Sequence, residues 1–101
     1  MEITNAIAKA RFASSQPQRV RLHKASPVQS ELVCMEPGQT LDVASGKWVY
    51  YVIKGQACAR TADGEADLSA GTFAEFAPNQ KHTIVNTGEQ RLICFAVECE
   101  A

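Results

Sequence analysis

Hydrophobic and polar positions alternate through most of this chain, and the alternation is short-range. Between Gln18 and Lys24, Val20 and Leu22 alternate with Arg19, Arg21 and His23, the period of two expected of a half-buried strand. Glu31 to Glu36 reads as a second strand through the apolar run Leu32, Val33, Cys34 and Met35. Further strands are predicted over Gln39 to Ala44, Trp48 to Ile53, Gln56 to Thr61, Phe73 to Phe76, Thr83 to Val85 and Arg91 to Val97. Ala62-Asp63-Gly64-Glu65 carries a hairpin signal with Asp-Gly at its centre. Glycines at 38, 46, 55, 64 and 71 punctuate these runs at gaps of seven to nine residues, the turn spacing of an all-β barrel or sandwich. Only the alanine-rich stretch from Ala6 to Ala13, with Thr4-Asn5 as a cap, predicts a short helix. No amphipathic helix separates the strands, so parallel βαβ architecture is not expected.

The chain has 101 residues, room for one domain. Residues 1–30 are predicted to form a helix and arm strand that belong to the same domain as a barrel over residues 31–101. Composition is ordinary for a globular protein, and net charge is −1. That balance excludes a dedicated basic nucleic-acid binder, and no apolar run is long enough for a membrane helix. The near-neutral total hides a division. Residues 1–30 carry five basic side chains and one acid, a net of +4, and residues 31–101 carry five basic and ten acidic, a net of −5. Docking of the basic arm on an acidic body, its own or that of a second subunit, is the expected use of these charges.

The first residues lack a basic segment followed by an apolar core, so no signal peptide is expected and a cytoplasmic setting follows. Cys34, Cys58 and Cys94 lie in apolar stretches and read as buried reduced thiols, with Cys99 the exposed one. No C-x-x-C pair, nucleophile elbow or glycine-rich phosphate loop is present. Glu98 and Glu100 read as a solvated tail, and His23 as a surface histidine.

Two segments resemble the cupin superfamily. Pro37-Gly38-Gln39 followed by Val49-Tyr50-Tyr51-Val52-Ile53-Lys54-Gly55 is similar to its first conserved segment. Gly71 to Asn86, with Gly71, His82 and Asn86 in their places, is similar to the second. The resemblance spans about Val33 to Val97 and implies an all-β, cupin-type jelly-roll barrel, here with a short N-terminal helix and arm. It also implies a homodimer.

The departures concern the metal ligands that the family carries. Counting back from Gly55, the slot of the family's glutamate holds Trp48. The two histidine slots hold Ala44 and Asp42, or Val43 and Leu41 if the spacer is one residue longer. The second segment's glycine slot holds Asn79, a residue that tolerates positive φ. His82 is left with Asp42 as an inward carboxylate at most, and no cofactor is expected. The alternative is a divalent metal held by His82 with Asp42.

Strand parity implied by the family turns Trp48, Tyr50 and Val52 into the barrel and Tyr51 and Ile53 outward. His82, Trp48, Tyr50, Asp42 and Glu75 are therefore the candidate lining of a small-molecule pocket. The competing reading, which the size of an indole favours over a dedicated site, is that Trp48 fills the space of a metal and plugs the core. The function expected is small-molecule binding in the barrel without a tightly held metal. The alternatives are a metal-dependent enzyme of isomerase, decarboxylase or dioxygenase type using His82, and a non-catalytic dimeric structural or sensory module. Neither nucleic acid nor membrane is an expected partner.

Overall fold

The computed structural model describes residues 1–99; residues 100 and 101, at the end of the predicted barrel, lie outside the described residues. The strands are β1 (Gln18–Ala25), β2 (Val28–Met35), β3 (Thr40–Val43), β4 (Lys47–Lys54), β5 (Gln56–Thr61), β6 (Gly64–Ser69), β7 (Phe73–Glu75), β8 (His82–Asn86) and β9 (Leu92–Cys99). They form two antiparallel sheets, one ordered β1-β2-β9-β4-β7 and the other β3-β8-β5-β6. The molecule is an all-β sandwich of jelly-roll type. No helix among the described residues is long and apolar enough to cross a membrane.

The predicted helix is the clearest departure. Only one 3-10 turn forms, over Ile7–Lys9, with the Asn5 side-chain oxygen accepting a hydrogen bond from the Ala8 N–H at 3.2 Å. An eight-residue helix is marginal alone. At Ala10 the backbone becomes extended (φ −59, ψ 137), and Phe12 and Ala10 pack onto the outer face of the five-stranded sheet.

That docking explains the uninterrupted apolar run in β2. Val33 and Met35 face the core between the sheets, while Leu32 and Cys34 face a second cluster with Ile93, Val20, Leu22 and Phe12. The strand is buried on both sides, so it shows no alternation. The arm is fastened further by Arg91 over the Phe12 ring (4.4 Å) and by Gln39 Nε2 donating to the Ala13 carbonyl (2.7 Å). The N-terminal segment thus packs on its own body.

Strand β6 has no counterpart in the pattern because only Leu68 on it is buried. The hairpin forms, but Gly64 pairs with Thr61, so the turn is made by Ala62 and Asp63 and not centred on Asp-Gly. Strand β2 begins three residues earlier than expected, because Val28, Gln29 and Ser30 pair with β9 despite their mixed character.

Candidate functional site

One end of the sandwich gathers the chain's chemistry. There β3 gives way to β4 through Gly46, whose φ of +99 suits glycine. The Gly46 N–H donates to Asn79 Oδ1 and the Asn79 N–H donates to the Gly46 carbonyl, each at 2.9 Å. Asn79 itself has φ +59, as its place in the glycine slot predicted. This reciprocal clasp holds the β3–β4 turn against the loop before β8. The missing side chain at Gly46 also matters: a Cβ there would collide with the Glu98 carboxylate and the Trp48 indole nitrogen.

Below the turn lies an aromatic plug. Trp48 and Tyr50 share the inward face of β4 and stack with centroids 5.9 Å apart. Tyr50 meets Phe76 and His82 edge-on, and Phe76 stacks on His82 at 3.9 Å. Trp48 is 5% exposed and His82 4%. The structure therefore brings three of the candidate residues, His82, Trp48 and Tyr50, into one cluster, and it adds Phe76.

The hydrogen bonds fix the state of His82. Its Nδ1 lies 2.9 Å from the Gln80 carbonyl, which can only accept, so Nδ1 carries the proton. Nε2, 2.7 Å from the Tyr50 hydroxyl, then accepts from it. Burial, aided by the Arg19 charge, holds the imidazole below its usual pKa against the opposing Gln80 bond. Burial likewise raises the Tyr50 phenol above its ordinary range. The pair is a neutral imidazole bonded to a neutral phenol.

Asp42 and Glu75 are elsewhere, correcting their expected place in an inward pocket. Leu41 and Val43 take the inward positions of β3, so Asp42 is turned out, exposed, and accepts from Thr83 Oγ1 at 2.6 Å. Glu75 is exposed and pairs with Lys47 at 2.8 Å. The Lys47 hydrogen bond and charge hold its carboxyl below the usual range.

These residues do not fit a tightly held divalent metal. The inward slots facing His82 hold Leu41, Val43 and Trp48, none a ligand of such ions. The lone pair on Nε2 is committed to Tyr50. Among the described residues, no group of three or more His, Cys, Asp or Glu side chains converges.

Two clefts flank the plug. One, of about 450 Å³, runs over the ends of β3, β5 and β8 between Asp42, Arg60, Lys81 and Thr83, with His82 at its edge. The other, of about 350 Å³, lies on the inner face of the five-stranded sheet and is lined by Arg19, Arg21, Gln29, Glu31, Trp48 and Glu98. Arg19 lies 5.0 Å over the Trp48 ring and is bound to Glu31 through Nε at 2.5 Å and through a second nitrogen at 3.3 Å. Gln29 Nε2 donates to Glu98.

Sequence reasoning missed this second cleft, Trp48 apart. Glu98 is half-buried, not a solvated tail residue; Glu100 lies outside the described residues. The signal was parity: Glu98 follows Cys94 and Ala96 on the inward face of β9, and Arg19 and Arg21 share one face of β1.

A two-sheet barrel with a filled interior and a charged mouth defines a small single-domain β-barrel protein. The family model for the cupin domain matches residues 31–98, and the chain belongs to the cupin family. Solved structures agree on the fold. TT1209 from Thermus thermophilus superposes with a TM-score of 0.91 at 22% identity, over 99% of this chain and 98% of that one. A conserved protein with a double-stranded beta-helix domain from Klebsiella pneumoniae gives 0.89 at 24% identity, over 99% and 90%. A Cupin 2 conserved barrel domain protein from Salinispora arenicola gives 0.77 at 19%, over 100% and 90%. A search of curated proteins finds no match.

Proposed function

We propose that this cupin binds a small organic molecule at the barrel mouth, without a tightly held metal. The observation that carries this reading is the cleft of about 350 Å³ bordered by Trp48, a site with one aromatic edge and several convergent polar groups. The filled interior supports a ligand at the mouth over one deep in the barrel.

Trp48 is the chain's single tryptophan, so its emission reports on the cleft without labelling. The test is a thermal-shift screen of sugars, organic acids, amino acids and aromatics, followed by titration of Trp48 fluorescence, with metal analysis of untagged protein alongside. A compound that raises the melting temperature and moves Trp48 emission saturably supports the reading. Stoichiometric metal that disappears in His82→Ala would overturn it in favour of a metal-dependent enzyme.

The protein acts as a homodimer in this proposal. Tyr51 and Phe73, 44% and 61% exposed and paired in register across β4 and β7, offer an apolar outer face in support. The unpaired state of all four cysteines supports a reducing, cytoplasmic setting.

A further inference from the structure

The charges at the mouth narrow what the cleft can hold. Four charged side chains line it, two arginines and two glutamates, so the cleft is neutral as a whole. Arg19 and Glu31 neutralise each other through two hydrogen bonds, and the Arg19 guanidinium also covers Trp48. That pair is closed.

The other two charges are open. Glu98 accepts a hydrogen bond from the uncharged Gln29 amide, and no cation pairs with it among the described residues. Arg21 has no hydrogen-bond or ion-pair partner among the described residues. The two do not reach each other, for a reason visible in the register. Arg21 stands opposite Glu31, and Glu98 stands opposite Gln29, two residues further along β2. The charges are therefore two strands and one two-residue step apart, roughly 12 Å between backbones. Their side chains point into the same cleft from opposite sides, with Trp48 as one wall.

Resting on the small-molecule reading, we infer that the cleft takes a small zwitterion, a molecule carrying one carboxylate and one ammonium group. Its carboxylate meets the planar fork of Arg21, which suits two parallel N–H···O bonds. Its ammonium meets Glu98, and its apolar body meets the indole edge that Trp48 leaves at the cleft wall, since Arg19 covers the ring face. A simple anion would leave Glu98 unneutralised and add a like charge beside it and Glu31. A simple cation would do the same beside Arg21. Only a ligand with both charges satisfies both ends and keeps the cleft neutral.

The test uses leucine with leucinamide, which lacks the carboxylate, and N-acetylleucine, which lacks the ammonium. Trp48 fluorescence is titrated with each. Leucine is expected to bind saturably, with each analogue at least about tenfold weaker, the scale of one charged hydrogen bond. In Arg21→Gln, leucine falls to the level of leucinamide; in Glu98→Gln, it falls to the level of N-acetylleucine. Both positions lie at the cleft edge, so both variants keep the fold, checked by an unchanged melting temperature. Leucine binding no tighter than either analogue, or unchanged discrimination in the two variants, overturns the inference. If the leucine series leaves Trp48 unmoved while another compound from the screen moves it, the zwitterion assignment falls and the small-molecule reading stands. If no compound moves Trp48, both fall.

Discussion

The hydrogen bond between Tyr50 and His82 gives the most direct test of how the barrel interior is built. Tyr50→Phe removes one hydroxyl and keeps the ring, so the contacts with Trp48 and Phe76 persist. What is lost is the donor to His82 Nε2, 2.7 Å away, in a site where Tyr50 is 1% exposed. The acceptor is left buried and unpaired, because Nδ1 already spends its proton on Gln80. Stranding a buried acceptor costs about 1–3 kcal/mol, more than the bond's own net worth. For a domain of this size that is a fall of roughly 5–20 °C in melting temperature. Urea unfolding at pH 8, where His82 is neutral, measures it. The companion variant His82→Leu strands the Tyr50 hydroxyl instead and should cost a similar amount. The double variant strands neither side chain of the pair, and the Gln80 carbonyl it leaves without a donor is already lost in His82→Leu, so it should be more stable than the sum of the two by about 1 kcal/mol or more. If Tyr50→Phe is as stable as the wild type and the cycle shows no coupling, Nε2 is not engaged, and that nitrogen is then open to a metal after all.

Three further outcomes follow from the same geometry. The folded His82 pKa lies below its ordinary value, so as pH falls the unfolded chain takes up that proton first. This contribution to stability is fully present above the unfolded value of about 6.5 and is lost below it, at up to about 1.4 kcal/mol per pH unit, until the folded value is passed; His82→Leu should lose less stability between pH 7.5 and 5.5 than the wild type, and an identical loss would contradict the assignment. Burial pushes the Cys94 thiol up to about 12 and raises Cys34, while Cys99 is exposed, so a thiol reagent should modify one cysteine per native chain and all four after unfolding; rapid native modification of two or more would show the core to be open. Phe73→Glu places a charge in the outward aromatic pair with Tyr51, and sedimentation should show a dimer for the wild type and a monomer for the variant; a wild-type monomer would refute the dimer.

Much of the fold was legible because a strand with one wet face writes its burial into every second residue. Trp48, Tyr50 and Val52 inward and Tyr51 outward on β4 are the clear case. Illegible elements had another determinant. The helix predicted over Ala6 to Ala13 was overruled by tertiary packing of Phe12, which no local propensity reports. Edge strand β6 buries too little to leave a pattern. For the site, motif spacing located His82 and the tryptophan in the glutamate slot, but left two registers open for β3. Burial decides between them: Leu41 and Val43 face His82's side of the barrel, and Asp42 does not. The charged mouth could not be read from any one segment, since β1, β2, β4 and β9 each contribute to it.

Trp48 links the two halves of this picture. In the slot where the family carries a carboxylate ligand, an indole fills the interior by stacking on Tyr50 and fixes its own orientation by donating from Nε1 to the Ser45 carbonyl at 3.0 Å. Returning a glutamate to that position alone would not rebuild a metal site. Leu41 and Val43 would still offer no donor, and His82 Nε2 would still accept from Tyr50. A lone carboxylate would instead be buried beside apolar and aromatic neighbours, at the cost of an unpaired charge. The indole's edge, meanwhile, borders the cleft where Arg19 covers its ring and Arg21 and Glu98 stand open. The substitution that closes the interior to a metal is thus also the one that supplies an aromatic wall at the mouth, which moves the place for ligand chemistry from the centre of the barrel to its rim.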